Sequence, residues 1–292
     1  MAKTHLIFVP CHSVWNSLGA ASAEENLGQS PNHWYLAPFQ YEGRDHLAFI
    51  KHAVVGVETL LNDLDHSILL FSGSQTKQSA GNVSESQSYY FLIWKLLQWI
   101  RDGKAAPEAF QQEKTILHVC DRILENLIQL NITLEELFTE HISTEEFALD
   151  SFENLLFSIC RFYELAQQYP SQVTIVGFGF KKERFVKYHA ESIDYPVEQV
   201  EYISIEPKPQ YTDQNKIRLY FEDLKLQEKK NALELFKSDW YGTKHPLHTK
   251  KSSRNPFNRV HGYILPLDLN QPVENDKEYF LENIKGKMPW SK

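Results

Sequence analysis

Three cationic side chains, Lys181, Lys182 and Arg184, follow directly on Gly177-Phe-Gly-Phe180, where the apolar run Val173 to Val176 gives way to a segment of helical character. A helix N-terminus carries partial positive charge and favours Asp or Glu, so cations gathered in a first turn imply a bound anion. Arg184 is the strongest anchor of the set, because its planar fork can grip a phosphate or carboxylate with two bonds. The alternative is a solvated basic helix end, partly offset by Glu183.

Other groups could complete such a site. Ser72-Gly-Ser-Gln-Thr76 offers the hydroxyls of Ser72 and Ser74, with Gly73 free to adopt positive backbone dihedrals and expose N–H groups to an anion. It is equally readable as an ordinary tight turn. Ser84, Glu85 and Asn154 stand near expected helix starts, and Glu85 is the candidate general base. Ser84 with Gln87, and Asp150 with Glu153, have a sufficient structural explanation as helix caps, at about 1 kcal/mol each. His12 is a candidate ligand contact. Cys11 and His12 are poor partners for each other as nucleophile and base, since neighbours on an extended segment point to opposite sides.

Several chemistries are not encoded. The Gly-Lys-Ser/Thr ending of a Walker motif is missing, neither glycine loop has dinucleotide-fingerprint spacing, and no closely spaced His and carboxylate set suggests a metal.

These groups must be held by a scaffold, and the pattern of apolar residues describes one. His5 to Val9, Ser67 to Phe71, Leu137 to Ile142, Val173 to Gly177 and Gln199 to Ile205 read as strands. Between them, Arg44 to Asn62, Ser84 to Arg101, Asp150 to about Gln168 and Lys181 to Ile193 read as helices. A polar loop up to about Pro38 follows the first strand, and a helical insertion near 103–136, including a helix over Ile116 to Leu130, interrupts the alternation. Alternating strands and helices predict an α/β fold with an open, mainly parallel sheet covered on both faces. Ligands of such sheets lie beyond the carboxyl ends of the strands, where the four candidate loops would converge. Residues 207–292 change character and read as a C-terminal extension packed on the same domain, with short periodic pieces such as Asn231 to Phe236.

The chain has 292 residues, 42% of them hydrophobic, which is enough for one large domain. A net charge of -8 argues against general nucleic-acid binding despite the basic run Lys250 to Arg254. Three scattered cysteines, Cys11, Cys120 and Cys160, fit a reducing compartment, and the short apolar run Leu6 to Val9 is no signal core or membrane span. A cytoplasmic protein is expected.

Taken together, the ordered motifs resemble the SanA/YdcF-like family, a domain of unknown function, in its fungal-type branch. They are Ile68-Leu-Leu-Phe-Ser-Gly-Ser-Gln-Thr76, Ser84-Glu85 with Tyr89, the run Thr144 to Phe157 containing Asp-Ser-Phe-Glu-Asn, and Val176-Gly-Phe-Gly-Phe-Lys-Lys-Glu-Arg-Phe185. Trp240-Tyr-Gly242 and Arg254-Asn-Pro-Phe-Asn-Arg259 extend the resemblance over nearly the whole chain. It implies a Rossmann-like fold with a strand-end pocket lined by the Ser-Gly loop, the Ser-Glu pair, the Glu-Asn pair and Arg184. It also implies a nucleotide-like ligand, S-adenosylmethionine being reported for one relative. Ser72-Gly-Ser74 departs from the common Ser-Gly-Gly, and Phe180-Lys-Lys lacks the His of bacterial members.

Two functions follow as expectations. One is binding of a small anionic ligand, with hydrolase or transferase chemistry. The other is a non-catalytic interaction or sensor protein whose extension, at Arg254 to Arg259, contacts a protein partner.

Overall fold

A computed structural model describes residues 2–17, 25–265, 267–269 and 271–291. Five strands form one parallel sheet: β1 (His5–Pro10), β2 (Ser67–Ser72), β3 (Ile142–Glu145), β4 (Gln172–Gly177) and β5 (Val200–Ser204), in the order β3-β2-β1-β4-β5. The fold is the open, parallel α/β architecture read from the sequence. Strands buried on both faces need apolar residues at consecutive positions, and β1 supplies them. Leu6 and Phe8 face one side, Ile7 and Val9 the other, all unexposed.

The side of Ile7, Val9, Leu69 and Phe71 is covered by α1 (Asp45–Leu61), α2 (Glu85–Arg101) and, outside them, α3 (Lys114–Leu130). The side of Leu6, Phe8, Leu70 and Ile175 is covered by α4 (Ser151–Ala166) and the helical stretch 182–192. The chain steps from β1 through β2 to β3 in one direction and then returns to place β4 on the other flank of β1. The carboxyl ends of β1 and β4 therefore splay their loops apart, which is where open sheets form a crevice.

Three expectations require correction. The third strand is not Leu137 to Ile142 but Ile142–Glu145, because Thr133 opens a helical turn that runs through a wide π turn at Leu137–His141. Its hydroxyl accepts from the Glu136 N–H at 3.0 Å while the Glu136 carboxylate accepts from the Thr133 N–H at 2.7 Å, satisfying two otherwise unpaired donors. The basic helix does not start cleanly at Lys181. A 3-10 turn at Gly179–Lys181 comes first, and Arg184–His189 is a π turn. The extension is also more helical than its pattern suggests, with α5 (Gln214–Glu228) leading through a further π turn to Glu234–Ser238. No residue of α5 is buried, so it has no apolar stripe for a sequence to display. Part of the polar loop after β1 lies outside the described residues.

The extension shares the α4-side core. Phe236, Tyr241, Leu247, Ile284 and Trp290 are buried with Phe152 and Phe185. Among the described residues, no helix is long and apolar enough to cross a membrane.

Candidate functional site

The end of β2 carries the Ser-Gly-Ser loop. A Cβ on Gly73 would stand 2.9 Å from Glu85 Oε2 and 3.1 Å from the Cys11 Cβ, so glycine is needed there for close approach to the start of α2. The N–H groups expected to cradle an anion are already committed, Gly73 donating to Glu145 O and Ser74 to Ala148 O, both at 3.0 Å. That part of the expectation is corrected: the loop is welded to the end of β3.

Ser72 makes the weld. Its hydroxyl donates to Glu145 Oε2 at 2.7 Å and accepts from Asn154 Nδ2 at 2.9 Å, which also reaches the Ser72 carbonyl at 3.2 Å. Fully buried and held from two sides, Ser72 is a positioning group. Glu145 is the centre of the network, receiving further bonds from Phe147 N at 2.7 Å, Ala148 N at 3.3 Å and Tyr263 Oη at 3.2 Å. Burial pushes its pKa up to about 7, and the donors around it pull in the opposite direction. With the third strand expected to end at Ile142, Glu145 carries no mark of a strand-end position. Once the strand is moved, an acidic residue at its last position is the signal.

Ser84 is consumed by capping. Its hydroxyl accepts from Gln87 N at 3.0 Å and pairs with Ser86 Oγ at 3.0 Å, and Gln87 returns a bond to Ser84 N. Glu85 is not consumed. Its Oε1 accepts from Thr76 Oγ1, and among the described residues that is the hydrogen-bond partner of its side chain. Burial raises its pKa, opposed by the Thr76 bond and by the charges of Lys77, Arg254 and Lys181.

The other half of the site lies at the switch between β1 and β4. His12 stacks on Phe178 at 5.1 Å and 15°, and Lys181 Nζ lies 3.4 Å from its Nδ1. As an ammonium, Lys181 donates to Nδ1, and that form places the ring proton on Nε2. Nε2 is buried without a hydrogen-bond partner. Burial drives the His12 pKa well down, helped by the charges of Lys181, His52, Arg184 and Arg254, so the ring is neutral.

Lys181 is itself lowered to about 7, first by burial and then by Arg184, with Glu228 and Asp45 opposing. Lys182 is exposed and stands outside the cluster. Arg184 is buried, but its Nη1 faces Glu228 Oε1 of α5 at 3.3 Å. It is therefore not free to grip a ligand, which corrects its place as the main anchor. Arg254, not counted in the strand-end set from sequence, takes that place. Its Nη1 donates to Leu149 O at 3.0 Å, and its charge acts on His12, Glu85 and Lys181. Only folding of the extension brings it there.

The chain is 47% identical over 299 residues to a protein of Saccharomyces cerevisiae described as "Uncharacterized protein YOR238W", covering 99% of this chain and 98% of the yeast protein. It belongs to the family of that yeast protein. No family model matches the chain, and no solved structure matches it.

The structure thus gathers Ser72, Gly73, Ser74, Ser84, Glu85 and Asn154 around the ends of β2 and β3, with His12 and Lys181 around the ends of β1 and β4. Chemically it offers one carboxylate with an uncommitted oxygen, Glu85, within electrostatic reach of three cations, Lys77, Arg254 and Lys181. A neutral imidazole N–H completes the group. Among the described residues, no cluster of His, Cys, Asp or Glu is suited to a metal ion.

Proposed function

We propose that this protein binds a small organic anion, of nucleotide-like size, at the crevice between the ends of β1 and β4. Lys181 and Arg254 supply the positive charge and His12 Nε2 a hydrogen-bond donor. The observation that carries the reading is the buried, unpartnered Nε2 of His12 inside a group of cations. A buried donor without an acceptor costs about 1–3 kcal/mol, and crowded cations add to that cost, so an anion relieves both. Glu85 is the acid–base group of a hydrolase or transferase acting on that ligand. Membership of the SanA/YdcF-like family belongs to the same proposal, supported by the strand-end position of the resembling motifs. A cytoplasmic setting is supported by three cysteines that are all unpaired and buried.

The partner-binding alternative is less well supported. Arg254, which motivated it, acts on His12, Glu85 and Lys181 at the strand ends instead of standing apart on the extension.

The test is thermal stabilisation of the purified protein by inorganic phosphate, pyrophosphate, adenosine monophosphate and S-adenosylmethionine. At least one should raise the melting temperature in the wild type and fail to do so in Lys181→Ala. No shift with any member, or an equal shift in the variant, rejects the reading.

A further inference from the structure

A second concavity lies between the first turns of α4 and the returning residues 259–265 and 267–269. Its volume is about 480 Å³, within the range of small-molecule sites. Four rings line it. Phe157 lies 4.6 Å from His261 and 5.5 Å from Tyr263, and Phe147 lies 5.7 Å from Tyr263.

The polar groups are unequally satisfied. Lys251 and Glu153 close on each other at 3.1 Å, so that pair is spent. Arg259 is different. Its guanidinium lies over Phe147 at 4.5 Å, and its Nη1 donates to Glu146 O and lies 3.9 Å from Glu146 Oε2, so only that corner is engaged, while Nε and Nη2 have no hydrogen-bond partner among the described residues. His261 Nδ1 is buried and unpartnered. A pocket with π faces on its walls, one arginine edge unused and one imidazole nitrogen unpaired matches a flat ring that carries a negative group.

From this geometry we infer that the cavity is a binding site for a small aromatic or heteroaromatic monoanion, distinct from the strand-end site. The ring stacks among Phe157, His261 and Tyr263, where aromatic contacts add to apolar burial. The anionic group takes two parallel bonds from Nε and Nη2 of Arg259, the fork geometry that suits a carboxylate. His261 Nδ1 supplies a further polar contact.

The experiment uses indole-3-acetate as the charged probe and indole as its neutral counterpart, titrated by ligand-observed saturation-transfer NMR against the full chain. The wild type should prefer indole-3-acetate by about tenfold, the scale of a charged hydrogen bond. Arg259→Gln should lose that preference while still binding indole. Val260→Ala, an exposed neighbour, and Lys181→Ala, at the strand-end site, should both retain it. If Arg259→Gln does not fold by near-ultraviolet circular dichroism, Arg259→Lys is read instead, and it should weaken the preference because the fork is lost. Absence of indole-3-acetate binding in the wild type overturns the inference. So does a preference that survives substitution of Arg259, or one abolished by Lys181→Ala, which would put the probe at the strand ends.

Discussion

Glu228 approaches Arg184 to 3.3 Å, with the two side chains only 11% and 8% exposed, yet neither Glu228 Oε1 nor Arg184 Nε has a hydrogen-bond partner. A carboxylate from the C-terminal extension thus occupies the place beside Arg184 that an external anion would want. The pair is charged, buried and imperfectly bonded. Such a pair is expensive to break from one side, yet its net contribution is small because desolvation offsets the attraction.

Glu228→Gln therefore has two expected effects. Without ligand the protein is destabilised by about 3 kcal/mol, the scale for leaving a buried charge unpaired. With pyrophosphate, or whichever anion stabilises the wild type, affinity rises about tenfold because Arg184 becomes available. Calorimetric titration decides it: weaker binding in the variant would mean that Glu228 orients Arg184 for the ligand instead of competing with it.

Glu145 sets a pH dependence. Its folded-state pKa of about 7 lies above the ordinary 4.5, so near pH 6 the folded protein holds a proton that the unfolded chain has released. The resulting stabilisation is complete below pH 4.5 and is lost as pH rises through about 7. Asp45, raised from 3.8 to about 7, acts in the same direction. Glu145→Gln cannot ionise, so its deficit relative to the wild type should shrink by up to about 3 kcal/mol between pH 5 and pH 8. Urea unfolding at the two pH values measures this, and a constant deficit would show that Glu145 is ionised at both.

Gly73→Ala should cost about 1–3 kcal/mol, since its methyl meets Glu85 and Cys11 at distances that require both to move. Gly81→Ala is the control. Its Cβ would meet nothing within 4 Å, leaving the strain of φ 69° alone. Denaturant midpoints should rank Gly73→Ala below Gly81→Ala, with any anion-induced thermal shift reduced in the former because Glu85 is displaced.

Glu113 receives Lys51 at 2.6 Å, Arg44 at 3.0 Å and Lys208 at 3.1 Å, joining α1 to the start of the extension. Burial alone would raise its pKa, but Lys51 and Lys208 lower it overall, so its contribution is present above the ordinary carboxyl range and is lost as pH falls through the folded value. Glu113→Gln should cost about 3–5 kcal/mol at pH 7 and much less at pH 3. A loss that does not diminish in acid would point to packing as its cause.

The sequence by itself determined the parallel sheet, because strands buried on both faces must be apolar at every position and Leu6 to Val9, Ile68 to Phe71 and Val173 to Val176 have no other use. It also determined the start of α2, since the reciprocal bonds of Ser84 and Gln87 are local. It placed Ser72, Glu85, Asn154, His12 and Lys181 at strand ends for the same reason: position along a strand follows from the apolar run beside it. What only the tertiary structure decided involves partners distant in sequence. Arg184 reads as a free cation until α5 brings Glu228 to it, and Arg254 reads as surface until the extension folds back over Leu149. Glu145 becomes buried only when Ser72, Asn154 and Tyr263 close around it. Local pattern fixes which face a residue presents, whereas the charge it meets there depends on segments whose own pattern, as in α5 with no apolar residue buried, carries no mark of where they dock.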